Sequence, residues 1–66
     1  MTQGERDRAL GLVQRGDFEG ALPLLNSLLS ENPDDHNLYY LAGQCLRQMN
    51  RISEAIPLLK RSTELE

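Results

Sequence analysis

The stretch GALPLL at Gly20–Leu25 comes back as EAIPLL at Glu54–Leu59, with the second proline 34 positions after the first (57 − 23 = 34). Sliding the chain over itself by that shift also pairs Leu12 with Leu46, Gln14 with Gln48, Ala21 with Ala55, Leu24 with Leu58 and Leu25 with Leu59. Similar residues join the identities in phase: Ala9 with Gly43, Gly16 with Asn50, Phe18 with Ile52, Leu22 with Ile56. A fixed period in the range of about 20–50 residues marks a stacked array of one supersecondary unit, each copy burying its apolar face on the next.

Each unit reads as two helices. Ala9, Leu12 and Val13 make a short apolar stripe at helical spacing, and Gly16 follows where a left-handed residue can close a helix. Phe18, Ala21, Leu22, Leu25, Leu28 and Leu29 then step by three and four until Asn32 and Pro33 interrupt them. In the second unit Leu38, Leu41, Ala42, Cys45, Leu46 and Met49 line one helix, and Ile52, Ala55, Ile56 and Leu59 the next. Asp34 and Asp35 precede the third helix and suit its orphan N–H groups and positive end. The pattern predicts helices over 4–15, 18–31, 36–49 and 52–65. Links this short force antiparallel neighbours.

Both prolines fall on the polar sides of their helices. Pro23 shares a face with Glu19, Asn26 and Ser30, and Pro57 with Ser53, Lys60 and Glu64. An interior proline costs about 3 kcal/mol, and less near the first turn on a wet face, where water satisfies the freed carbonyl.

Composition narrows the chemistry. The 66 residues are expected to form one small domain with little depth for a catalytic cleft. Ten acidic against seven basic residues, net charge −3, argue against a nucleic-acid or anionic-membrane binder and for a protein or peptide partner. No apolar run reaches a membrane-spanning length, and the polar MTQGERDR is no signal peptide, so a cytoplasmic location is expected. The lone Cys45 sits among apolar neighbours in YYLAGQCL and reads as a buried small hydrophobe. His36 beside Asp34 and Asp35 resembles a metal cluster only superficially, since adjacent residues do not converge as i, i+4 ligands do. His36 and Cys45 are too far apart for a catalytic pair, and the five scattered glycines match no phosphate loop. No enzyme activity, cofactor or metal is expected.

The pattern resembles the tetratricopeptide repeat (TPR) through RALGLVQRGDFEGALPLLNSLLSENP and LYYLAGQCLRQMNRISEAIPLLKRS. Ala9, Leu12, Gly16, Phe18, Ala21 and Pro33 fill the family's small, apolar and closing positions in repeat one, about 2–35. Tyr39, Ala42, Gly43, Leu46 and Ala55 do so in repeat two, about 36–66. The resemblance implies an all-α fold of two tandem helix-turn-helix hairpins, four antiparallel helices in a short right-handed solenoid. Helix one departs from the family, with Glu5 and Arg8 where a large apolar pair belongs. Its face Gly4, Arg8, Gly11 and Arg15 aligns with Leu38, Ala42, Cys45 and Met49, so nothing is expected to pack in front of it and the chain is expected to begin the array.

By the same resemblance, the first helix of each repeat lines a concave surface that holds a partner's peptide or helix. Its lining here would be Gln3, Arg6, Leu10 and Val13, then Asn37, Tyr40, Gln44, Arg47 and Gln48. The lysine and asparagine clamp with which co-chaperone members hold a C-terminal carboxylate is missing from these positions. An interaction scaffold is therefore expected. The alternatives are an N-terminal array of a larger enzyme such as a transferase, and a self-association module. For the last, Ile56, Leu58, Leu59 and Leu65 form a candidate strip on helix four for a homodimer, because only two repeats are present and terminal faces of such arrays are normally polar.

Overall fold

The computed structural model describes residues 2–65, with side chains from Gly4 onward. Four helices follow one another: α1 (Thr2–Gln14), α2 (Phe18–Glu31), α3 (His36–Gln48) and α4 (Ile52–Leu65). They fall within two residues of the boundaries expected from the periodicity. The 34-residue repeat is visible in the way helices end. Gly16 at φ +83° and Asn50 at φ +63° are the left-handed closers of α1 and α3. Around them the Gly16 and Asp17 N–H groups donate to the Val13 and Leu12 carbonyls at 3.0 and 2.8 Å. One repeat later, Asn50 and Arg51 donate to Arg47 and Leu46 at the same two distances. These paired bonds satisfy carbonyls that a helix end leaves orphaned.

Helix starts do not repeat so faithfully. The Asp17 carboxylate accepts from the Gly20 N–H at 3.0 Å and caps α2, and Asp35 accepts from the Asn37 N–H at 3.0 Å and caps α3. At the start of α4 the equivalent of Asp17 is Arg51 (17 + 34 = 51), which has no acceptor to offer. Its guanidinium instead grips Glu54 with two bonds, Nε to Oε2 at 2.7 Å and Nη2 to Oε1 at 2.8 Å. Pro23 and Pro57 lie inside α2 and α4, both exposed, and neither interrupts its helix.

Each helix packs on its sequence neighbour, α1 on α2, α2 on α3 and α3 on α4. The core they share is Ala9, Ala21, Leu25, Leu28, Leu38, Ala42 and Cys45, all fully buried. Each of the three leucines is worth about 1.5–3 kcal/mol against leaving it in water. Small residues sit where helices cross. A Cβ on Gly43 would lie 2.7 Å from both Cγ and Cδ2 of Leu59, so α3 and α4 approach too closely there for any side chain. Ser62 is buried where repeat one places Leu28 (62 − 34 = 28), so the second hairpin closes over less apolar surface than the first. The chain is a slab of 29 × 24 × 15 Å.

Candidate functional site

Residues from α1 and α3 converge on one face. Arg6 and Leu10 from α1 meet Asn37, Tyr40 and Leu41 from α3 around a hollow of about 290 Å³. Four of these five belong to the lining expected from the sequence, and the fifth, Leu41, reads there as part of the helix-three core stripe. Tyr40 is half exposed, an aromatic surface open to a ligand.

Arg6 is not free. Its Nη2 donates to Oδ2 of Asp35 at 2.7 Å, joining the first turns of α1 to the start of α3 across 29 positions of sequence. Asp35 therefore serves α3 with one oxygen and Arg6 with the other. Burial pushes its carboxyl upward, but the Arg6 hydrogen bond and charge and the N–H groups of Asn37 and Leu38 outweigh that, holding it below the ordinary carboxylate value. The bridge fixes where the guanidinium sits, at the rim of the hollow. It spends one of five N–H donors to do so.

The remaining expected residues spread out. Val13 is half buried and packs against the core. Gln44 is half buried, Arg47 and Gln48 are exposed toward the C-terminal end of α3, and none of the three borders the hollow. The Gln3 side chain lies outside the described residues. Arg8 on α1 and Arg15 in the turn just after it are exposed, and Gly4 and Gly11 have nothing within 4 Å of where a Cβ would stand.

On α4 the candidate strip divides. Ile56 is 58% exposed and Ile52, not counted in the strip, 46%. Leu58 instead packs toward the core, Leu59 lies against Gly43, and Leu65 is half buried.

A second, larger hollow of about 570 Å³ lies between α2 and α4 and is closed at its base by the end of α3. Leu22, Pro23, Leu46, Met49 and Leu58 line it, with Glu19, Asn26, Arg51 and Glu54 at its edge. Sequence reasoning missed it, although a signal existed: Arg51 and Glu54 are two places where repeat two departs from Asp17 and Gly20 of repeat one. No three His, Cys, Asp or Glu side chains converge as a metal cluster among the described residues. Cys45 is buried, and desolvation raises its thiol above the ordinary value, which suits packing and opposes nucleophilic use. Among the described residues no helix is long and apolar enough to cross a membrane.

No curated protein and no solved structure matches the chain. The tetratricopeptide repeat family model matches residues 12–66, leaving out most of the divergent helix α1 and covering both closers, both prolines and the whole second hairpin. With more than half of its length matched, and with paired helices, crossing glycine and repeated helix ends in the places the repeat requires, the chain belongs to the tetratricopeptide repeat family.

Proposed function

We propose that this chain is a protein-interaction module that holds a segment of a partner protein on the face shared by α1 and α3. The supporting observation is the convergence of Arg6, Leu10, Asn37, Tyr40 and Leu41 on one hollow, from helices that meet only in the fold. The hollow offers a peptide three kinds of contact. Leu10, Leu41 and the Tyr40 ring receive an apolar side chain, the Asn37 amide can bond the peptide backbone, and Arg6 supplies a positive charge whose position the Asp35 bridge has already set. Tyrosine and arginine are enriched among residues that dominate interface energetics, and pre-positioning lowers the ordering cost of binding.

The charge selects the ligand. Arg47 is exposed further along α3 and makes no ion pair among the described residues, so the face carries two guanidinium groups and one bridging carboxylate. A peptide with an apolar residue next to a carboxylate fits it, since charge-assisted bonds to arginine are the strong polar contacts available. Screening an array of acidic, neutral and basic peptides against the chain and its Tyr40→Ala and Arg47→Ala variants tests this. Acidic-apolar peptides should be retained, with affinity falling as salt rises and falling again in both variants. Retention of the same peptides at the same strength by all three proteins would remove the assignment.

A further inference from the structure

The hollow between α2 and α4 is independent of the face just described and has a different chemistry. Its floor is apolar, made by Leu22, Leu46, Met49 and Leu58. Its edge carries two carboxylates, Glu19 on α2 and Glu54 on α4, against one guanidinium, Arg51. At about 570 Å³ it lies inside the range of roughly 300–1,000 Å³ that holds small ligands or an inserted side chain.

The charges are unevenly committed. Arg51 has given both its Nε and one terminal nitrogen to Glu54, so that pair is neutral within itself. Glu19 has no ion-pair partner among the described residues, although its charge is felt at Arg51, whose proton is held above the ordinary value chiefly by Glu54 and in smaller part by Glu19. An anionic ligand would find the remaining N–H donors of Arg51 set between two carboxylates, Glu54, which already neutralises the guanidinium, and Glu19, which repels a second negative charge. A cationic one needs to displace nothing.

The divergence of the two repeats points the same way. Apolar positions of the α2–α4 pair are kept, Leu24 with Leu58 and Leu22 with Ile56, whereas the start of α4 exchanges the self-capping Asp17 and Gly20 for Arg51 and Glu54. That exchange gives up a helix cap worth about 0.5–2 kcal/mol. What it places in return is a charged pair on the wall of the hollow.

We propose that this hollow is a second docking site, whose occupant is a partner segment carrying an aliphatic side chain beside a lysine or arginine. The aliphatic group covers the Leu22, Leu46, Met49 and Leu58 floor and the cation meets Glu19. The two faces of the module thus take opposite charges, acidic on the α1–α3 side and basic on the α2–α4 side.

Two capped hexapeptides test this by amide chemical-shift titration of the intact chain: acetyl-Ala-Leu-Arg-Leu-Lys-Ala-amide, and its counterpart with glutamate in place of arginine and lysine. The basic peptide should shift the amides of Glu19, Leu22, Met49, Arg51 and Glu54. Glu19→Lys, an exposed change that leaves the fold intact, should weaken it about fivefold, the upper end of what one exposed charge pair contributes. Arg51→Ala should strengthen it, because Glu54 is then released toward the ligand, an effect that a purely structural role for Arg51 does not produce. Equal shifts from the acidic peptide, shifts confined to Tyr40 and its neighbours, indifference to Glu19→Lys, or absence of shifts at millimolar peptide would each overturn the proposal. The α1–α3 face is read out separately, by the acidic peptide at the amides of Tyr40 and its neighbours, so failure at one hollow is distinguishable from failure at the other.

Discussion

Replacing Gly43 by alanine sets two known effects against each other. Glycine in a helix interior costs about 1 kcal/mol relative to alanine, so at an open position Gly→Ala stabilises by that amount. At Gly43 the new methyl would stand 2.7 Å from Cγ and Cδ2 of Leu59, roughly 1 Å inside the separation of about 3.5–4.0 Å at which carbon atoms attract. Cγ is the branch point of that side chain, so Leu59 cannot relieve the contact by a terminal rotation. Either its χ1 leaves a preferred well or α4 moves off α3, and overpacking of this kind costs about 1–3 kcal/mol. The steric cost wins. A net loss of about 1 kcal/mol lowers the melting midpoint of a domain this size by about 4–8 °C. Circular dichroism melts of Gly43→Ala should show that drop, and Gly11→Ala, where nothing lies within 4 Å, should show a rise of similar size. Repeating Gly43→Ala in a Leu59→Ala background makes the test specific, because the sign should reverse once the clashing atoms are gone. If Gly43→Ala raised the midpoint as Gly11→Ala does, the α3–α4 crossing could not be as close as described.

Two further outcomes follow from the buried and bridged groups. Asp35 is held below the ordinary carboxylate value, so its bridge stabilises the fold fully above its unfolded pKa of about 3.9 and loses that contribution as pH falls through the lowered folded value. A carboxyl titration by NMR should find Asp35 shifted upward in Arg6→Ala, and an unchanged titration would show that the bridge does not set it. Cys45 is fully buried with its thiol raised by desolvation, so a thiol reagent at neutral pH should label it only as fast as the chain opens, and much faster in denaturant. Rapid labelling of the folded chain would contradict its place in the core.

How far the sequence reveals this fold depends on whether a signal is local and repeated. Helix ends are both: Gly16 and Asn50 occupy one position of the 34-residue unit, and each closes its helix in the left-handed region with the same pair of backbone bonds. The close approach at Gly43 is legible because its counterpart Ala9 is also small. The Arg6–Asp35 bridge is not, since its partners are 29 positions apart and nothing local chooses Asp35 for Arg6 over Asp34. Helix α4 shows a subtler limit. Leu58 and Leu59 are about 100° apart on the helix, and spacing alone leaves both available to an outer strip. Packing on α3 sets the rotation, turning Leu58 to the core and Leu59 onto Gly43, and leaves Ile52 and Ile56 as the exposed apolar residues of α4.

Identity and divergence between the two repeats therefore carry different information. Positions that agree, Ala21 with Ala55 and Leu25 with Leu59, lie where one helix must fit against another, and the geometry of the hairpin tolerates few alternatives there. Some positions that disagree in chemical type are buried, as Ser62 is in the place of Leu28, but others fall on the open faces: Arg6 against Tyr40 and Leu10 against Gln44 on the α1–α3 side, Asp17 against Arg51 and Gly20 against Glu54 beside the α2–α4 hollow. Gly20 goes with the Asp17 cap, since a Cβ there would lie 2.8 Å from the capping carboxylate, and Glu54 stands where Arg51 has removed that carboxylate. Arg51 even forgoes the cap that Asp17 supplies one repeat earlier. A repeated unit that keeps part of its core and changes its faces retains one scaffold while presenting unlike surfaces, one with guanidinium and tyrosine and the other edged with carboxylates. That asymmetry is the physical basis for assigning the two faces to different ligands.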